Sequence, residues 1–320
     1  MRSYIVFLLS LLVVGCCNQP PQSATSQEAL PPAPKRGAWD NERHPLYGDV
    51  ESIVTCLRTP EVGPDGELTY HIDTVQQAWF NEAGDMDHRY LFDEHEHASY
   101  NEQGRLSALS VFSLDGQLRT IRYYVYNDAG LLVEERGLDG EGELTHKWLY
   151  EYNSSEQMLS SSYVPVDGRN NVKNVFNYAD GRLIEEQYYS SGLFSGSVLF
   201  EYDSAGNVAR RTFFAEKDTP INSVTCSYDS AGNKVEELIS VYEADNVCRA
   251  QQRYHYTYDR QGKRVRMEEY YYDKQGVEQA GSRYEYSYDE RNNVILTEFY
   301  RLPDADTPDN YFEVQITYRE

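Results

Sequence analysis

The sequence predicts an all-β protein, folded as an elongated, curled antiparallel meander of short strands. Two observations support this prediction: a tyrosine-rich segment recurs at nearly constant spacing, and aromatic or apolar residues alternate with polar ones beside it. Tyrosine accounts for 29 of the 320 residues, against 11 phenylalanines and 3 tryptophans. Because a tyrosine ring can pack while its hydroxyl stays hydrated, and because tyrosine favours strands, we expect thin β-structure without a large core.

The first 15 residues have the pattern of a secretory signal peptide. Arg2 is followed by an apolar run from Ile5 to Val14, and a basic start with a short apolar stretch is typical of such signals. The run is too short for a membrane-spanning helix, which needs about 20 apolar residues. It ends in Val13-Val14-Gly15-Cys16, which resembles the lipobox of bacterial lipoproteins.

That resemblance implies lipidation of Cys16 and cleavage after Gly15. Two or three acyl chains give stable anchoring, where a single chain does not. The residue after Cys16 is not aspartate, which in enterobacterial sorting implies the outer membrane. We therefore expect a lipid-anchored protein of the cell envelope, facing either the periplasm or the outside.

The remaining chain divides into a linker and a repeat domain. Residues 16–44 are rich in Pro, Ser and Gln, a composition that predicts a lipidated N-terminus followed by a disordered tether. Residues 45–320 carry the repeats. The formal net charge of −23 argues against a nucleic-acid partner, which requires a basic face.

Internal repetition is the main signal in the repeat domain. From Gly104 onward, the last turn residue of each copy advances by 25 or 26 residues, and by 30 in the final two steps. The copies begin at Phe80, Tyr100, Tyr126, Tyr152, Tyr178, Tyr202, Tyr228, Tyr258 and Tyr288.

Each copy has the chemistry of a tight turn. Asp or Asn after the tyrosine can accept a hydrogen bond from the backbone two residues on, and the later glycine supplies the left-handed conformation of a bulged type I turn. Asn292 suits that conformation, whereas Glu156 fits poorly and predicts an irregular turn. The clearest turn-forming residues are Asp203, Gly206, Asp229, Gly232, Asp259 and Gly262.

Alternating runs such as Tyr284-Glu-Tyr286-Ser-Tyr288 precede the turns. Period two places such rings on one face of a strand. A second turn halfway through each copy, as at Asp273–Gly276, makes every repeat two strands and two turns. Some sixteen strands would be too many for a flat sheet, so we expect the meander to curl; the sequence leaves open whether it closes.

These copies resemble the YD repeats of the Rhs family, and the Tyr-Asp-x-x-Gly-Asn units at Tyr202 and Tyr228 match most closely. The resemblance covers residues 80–320. It implies strands that spiral into a shell, with carbohydrate binding or toxin encapsulation as associated roles. The chain is far shorter than a toxin cage, so encapsulation is not expected, and it is more similar to small YD-repeat lipoproteins of bacterial envelopes.

Residues 85–97 offer the main chemical alternative. His95 and His97 share a strand face and could hold a transition metal with Asp93 or His88, which would make the protein a metal-dependent envelope enzyme. A solvated hairpin explains the same residues, because short histidine tracts are weak motifs. Since the sequence has no metalloprotease motif, nucleophile elbow or phosphate loop, we expect no enzyme and no cofactor.

The glutamate pairs, such as Glu236-Glu237 and Glu268-Glu269, could suggest acid–base dyads. Adjacent strand residues point to opposite faces, so the members of a pair cannot share a substrate, and we expect them to solvate outer faces. Cys226 and Cys248 should lie two strands apart, which predicts no disulfide between them.

The tyrosines of the last repeats are the main candidates for binding. Packing in the sheet is the first role expected of them, and the alternative is an exposed platform for a glycan or an envelope protein. The residues concerned are Tyr254, Tyr256, Tyr284 and Tyr286. The sequence thus favours a non-catalytic binding or scaffold module held to the membrane by its lipid.

Overall fold

The computed structural model describes residues 37–39, 45–216, 219–243, 247–303 and 306–320. The predicted signal peptide and Cys16 lie outside the described residues. Within them the chain forms 20 β-strands, and none of the described residues belongs to a helix that could cross a membrane.

The strands alternate in direction along the chain. They are β1 (Val50–Val62), β2 (Leu68–Phe80), β3 (Met86–Tyr90), β4 (Glu94–Tyr100), β5 (Leu106–Ser113), β6 (Leu118–Tyr126), β7 (Leu132–Asp139), β8 (Leu144–Tyr152), β9 (Met158–Pro165), β10 (Val172–Ala179), β11 (Arg182–Ser190), β12 (Leu193–Tyr202), β13 (Val208–Glu216), β14 (Thr219–Tyr228), β15 (Lys234–Tyr242), β16 (Cys248–Tyr258), β17 (Arg264–Tyr272), β18 (Glu278–Tyr288), β19 (Val294–Leu302) and β20 (Asn310–Tyr318).

The antiparallel sheet closes on itself. Each strand pairs with the next, and β20 returns to pair with β1, with Ile53 opposite Ile316. The all-β antiparallel meander is confirmed. The sequence left open whether the elongated, curled meander closes, and the structure shows a closed 20-stranded barrel rather than an open curled sheet. Closure gives both terminal strands a partner and so removes two unpaired edges.

The repeat turns have the predicted chemistry. Asp203 Oδ1 accepts hydrogen bonds from the backbone N–H groups of Ala205 at 2.9 Å and Asn207 at 2.8 Å, and Gly206 has a φ of 92°. A register shift between Glu201 and Tyr202 marks the bulge. The same contacts recur at Asp229 and Asp259.

Glu156 departs from its prediction. It adopts a φ of 61°, and its N–H donates to the Asn153 carbonyl at 3.0 Å. Asn153 Oδ1 accepts from the Ser155 and Gln157 N–H groups, each at 2.9 Å. The predicted irregular turn is therefore wrong, because the asparagine contacts hold Glu156 in the conformation that glycine adopts elsewhere.

The tyrosine before each turn connects neighbouring repeats. Tyr152 Oη, at the end of β8, donates to the carbonyl of Leu132, at the start of β7, at 2.9 Å, so each such hydroxyl bonds the start of the strand that directly precedes its own and pairs with it. Equivalent bonds are made by Tyr126, Tyr178, Tyr202, Tyr228, Tyr258 and Tyr288.

Two buried clusters lie on one face of the sheet. Directly paired residues share a face, and the pairing places Ile53, Ala78 and Leu109 on the same side as Val198 and Ile239. Most exposed apolar side chains lie on the other face. We therefore assign the buried face to the inner, concave wall, where side chains converge.

The inner wall also receives a short N-terminal segment. Trp39 is buried against Phe80, with ring centroids 5.6 Å apart, and the Ala38 N–H donates to Tyr100 Oη at 3.2 Å. A Cβ on Gly37 would lie 2.3 Å from that hydroxyl, so this close approach requires glycine. Residues 37–39, within the predicted tether, thus dock at the end of the barrel that carries the Tyr-Asp turns.

Candidate functional site on the inner wall

In each glutamate pair one member faces the outside of the barrel and the other faces its interior. Glu134 faces outward and bonds Arg136 at 2.8 Å and Lys147 at 3.0 Å, and these hydrogen bonds lower its pKa to about 2. Glu237 and Glu269 face inward and are buried. The pair members lie on opposite faces as predicted, but the expectation that they all solvate an outer surface is wrong for the inward ones.

Glu269 is the centre of a polar cluster on β16 and β17. Its Oε1 accepts hydrogen bonds from Tyr254 Oη at 3.0 Å, from Tyr271 Oη and from Gln252 Nε2. Gln252 Nε2 also lies 3.0 Å from Tyr271 Oη. These four side chains, here called the Glu269 recess, are brought together because Gln252 pairs with Tyr271 and Tyr254 with Glu269 in the sheet register.

Burial and the adjacent carboxylate keep the recess hydroxyls protonated. Desolvation is the main reason that the pKa of Tyr254 is raised, followed by the charge of Glu269. Burial, and then the hydrogen bond to Glu269, raises the pKa of Tyr271 in the same way. Both phenols are therefore hydrogen-bond donors at neutral pH.

The recess is open on one side. Glu269 is 8% exposed, whereas Tyr271 on the same face is 42% exposed. Phe312, which faces inward on β20, is exposed as well. Barrels of this size class enclose more space than side chains fill, so a ligand in the interior would meet the Tyr271 ring with a buried carboxylate behind it.

The predicted platform tyrosines all face this inner wall and are half-buried. Tyr254 and Tyr256 stack with ring centroids 6.4 Å apart. Tyr284 packs against Phe299 at 5.2 Å, and the Arg264 guanidinium lies 5.3 Å from the Tyr286 ring. The structure thus places the four on one wall, partly packed and partly open.

Sequence reasoning missed Gln252, Glu269 and Tyr271. The available signal was the alternation itself, since Gln252 is in phase with Tyr254, and Glu269 is in phase with Tyr271. Only the strand register shows that these two phases meet.

The predicted metal candidates His88, His95 and His97 lie on the outer face of β3 and β4. His95 stacks on Phe112 at 4.9 Å and on Tyr90 at 5.1 Å. His97 pairs with His88 in the sheet, and its Nε2 is 3.8 Å from Asp87 Oδ1. The described part of the chain contains no group of three or more His, Cys, Asp or Glu side chains arranged for a metal ion.

The cysteines follow the predicted strand order. Cys226 lies on β14 and Cys248 on β16, with β15 between them. Cys226 is buried, and its Sγ is 3.9 Å from Glu237 Oε2.

No family model matches the chain, and no curated protein matches it. Among solved structures, it is similar to the TcdB2-TccC3 structure without its hypervariable C-terminal region, at 12% identity and a TM-score of 0.41; the match covers 83% of this chain but only 16% of that one. It is also similar to a porin-like protein from Bacteroides uniformis, at 12% identity, 85% and 98% coverage and a TM-score of 0.38. A porin-like protein from Bacteroides vulgatus gives 10% identity, 84% and 98% coverage and a TM-score of 0.25. We infer no function from these likenesses.

Proposed function

We propose that this protein is a YD-repeat lipoprotein of the bacterial cell envelope that binds carbohydrate, without catalysis, on the inner wall of its closed sheet. The observation that carries the proposal is the Glu269 recess, where an exposed tyrosine ring adjoins a buried carboxylate and a side-chain amide. Sugar rings offer C–H faces that pack on aromatic rings and hydroxyls that bond carboxylates and amides.

The charge of the chain narrows the class of glycan. A formal net charge of −23 repels polyanions, which favours a neutral or amino-bearing sugar. Inward glutamates recur at equivalent positions on other strands, including Glu135, Glu186 and Glu237. Such repetition suits an extended polymer better than a single small molecule.

The lipid at Cys16 supplies the membrane attachment in this proposal. Trp39 docks beside Phe80, next to a repeat turn, so the chain leaves the barrel toward the anchor from the end with the Tyr-Asp turns. In this proposal the end with the Tyr-Asp turns lies toward the outer membrane, and the opposite end lies away from it.

Carbohydrate binding is tested by replacing, one at a time, two adjacent tyrosines whose side chains lie on opposite faces of the sheet. Tyr271→Ala should weaken binding of a glycan identified on an array by about tenfold or more, as removal of an exposed aromatic anchor does. Tyr270→Ala removes the same side chain from the outer face and should leave affinity unchanged. Equal losses in both variants, or no bound glycan on the array, would contradict the proposal.

The anchor is tested separately with Cys16→Ser in the full chain. The variant should lose the lipid mass and leave the membrane fraction, while the wild type remains there. A variant that fractionates with membranes and shows no mass difference would reject the lipoprotein assignment.

A further inference from the structure

The β1–β2 hairpin extends beyond its neighbours at the end of the barrel opposite the Tyr-Asp turns. Both strands have 13 residues, whereas β3 has 5 and β20 has 9. β3 pairs only with residues 77–80 of β2, and β20 pairs with β1 only as far as Arg58. In the described chain, residues 68–76 of β2 are therefore paired with β1 on one side and have no strand on the other.

This free edge is poorly protected against strand pairing. Residues 68–74 are exposed on both faces of the hairpin, and Leu68 and Ile72 are apolar yet 57% and 54% exposed. Natural proteins usually guard such edges with lysine, proline or a short strand. Residues 68–76 contain neither lysine nor proline, and the unpaired stretch is longer than a typical strand.

The edge is also complementary to itself. In antiparallel pairing about a two-fold axis through Ile72, His71 of each copy lies opposite Asp73 of the other. A shift of two residues would instead set His71 opposite itself. Within one chain His71 Nε2 and Asp73 Oδ1 are 3.1 Å apart, which shows that both side chains lie on one face, where a partner strand would meet them.

We propose that this edge of β2 pairs with the same edge of a second copy, so that two barrels join through a continuous antiparallel sheet centred on Ile72. Backbone hydrogen bonds would supply the contact, as in other strand-addition interfaces. Two His–Asp pairs and the apposed isoleucines would fix the register. The pairing lies at the opposite end of the barrel from Trp39 and is independent of the proposed carbohydrate site.

A charge exchange tests this register. In the full chain purified in detergent, sedimentation should show a dimer, and His71→Asp should raise its dissociation constant about tenfold, because two attractive pairs become repulsive. Adding Asp73→Lys to that variant should restore the dimer. His255→Asp makes the same change on the outer face of β16 and should have no effect.

A cysteine scan tests the axis directly. Ile72→Cys should form a disulfide between equivalent residues of two copies, since directly opposed strand residues have Cα separations suited to one. Tyr70→Cys should not, because its partner would be Thr74. A monomer at all concentrations, failure of Asp73→Lys to restore the dimer, or equal cross-linking at residues 70 and 72 would overturn the proposal.

Discussion

At each repeat turn, a single residue in the left-handed conformation determines the backbone strain. Gly104 has a φ of 72°, and no atom lies within 4 Å of the position that a Cβ would take. A side chain there would therefore cause no steric clash, and its only cost would be the strained backbone conformation. Glu156 occupies the equivalent position two repeat turns further along the chain, at a φ of 61°. For a residue with a Cβ that conformation costs roughly 1–2 kcal/mol.

Glu156→Gly should therefore raise the free energy of unfolding by about 1 kcal/mol, measured by urea denaturation. The reciprocal change Gly104→Glu should lower it by a similar amount. If Glu156→Gly were neutral or destabilising, the Glu156 side chain would have to make a compensating contact.

The repeat tyrosines act through one hydroxyl each. Tyr152→Phe removes only the hydrogen bond to the Leu132 carbonyl and should lower stability by about 1 kcal/mol. Tyr123→Phe makes the same change at an exposed outer position and should leave the melting temperature unchanged. Equal melting temperatures for both variants would show that the inter-repeat bond contributes nothing.

At the scale of elements, the β18–β19 turn fastens the start of β1 to the end of β20. Asn293 is fully buried; its Oδ1 accepts from the Tyr47 N–H at 2.6 Å, and its Nδ2 donates to the Tyr47 carbonyl at 3.0 Å and to Tyr318 Oη at 2.6 Å. Nearby, Arg319 pairs with Asp49 at 2.6 Å. These contacts join the first and last strands of the domain, which lie at opposite ends of its sequence.

Asn293→Ala should lower stability by about 2–3 kcal/mol, because it leaves part-buried backbone groups of Tyr47 and the Tyr318 hydroxyl without these partners. Asn233 occupies the same position in an internal turn, where its Nδ2 bonds Asp229 at 3.0 Å, and Asn233→Ala should cost less than about 1 kcal/mol. Hydrogen exchange should locate the extra loss of protection in β1 and β20. A uniform loss of protection over all strands would mean that the contact between β1 and β20 does not open before the rest of the sheet.

At the scale of the whole molecule, the inner wall depends on tyrosines that stay neutral. Burial raises the pKa of Tyr124 and of Tyr150 to about 12, from an ordinary value of 10.0. The unfolded chain would ionise these phenols near pH 10, while the folded chain keeps them protonated until about pH 12. Their contribution is therefore constant below pH 10 and is lost as the pH rises through 12.

We thus expect cooperative unfolding between about pH 10 and 12, followed by circular dichroism together with the absorbance of tyrosinate. Below about pH 10 these tyrosines should make no pH-dependent contribution to the free energy of unfolding. Ionisation of most tyrosines near pH 10 with the fold intact would show that the inner wall is freely solvated.

The local features of this fold could be predicted from the sequence alone. Asp203 and Gly206 indicated the turn because hydrogen bonding and φ are decided within a few residues. The period of two indicated the shared face of Tyr254, Tyr256, Tyr284 and Tyr286 for the same reason. The prediction of an irregular turn at Glu156 was wrong because the hydrogen bonds of Asn153 hold the turn despite the unfavourable left-handed conformation of a non-glycine residue.

Only the tertiary structure decided whether the meander stays open, which wall is buried and which polar residues meet. Closure depends on twist summed over all strands and on the pairing of β1 with β20, two strands with no local signal for each other. The Glu269 recess depends on the strand register. From the sequence alone, a polar residue in a run of alternating tyrosines is predicted to be exposed, and only its neighbours on the paired strand show that it is buried. Turn chemistry acts over five residues, whereas burial is set by residues that the chain brings together only when the sheet has closed.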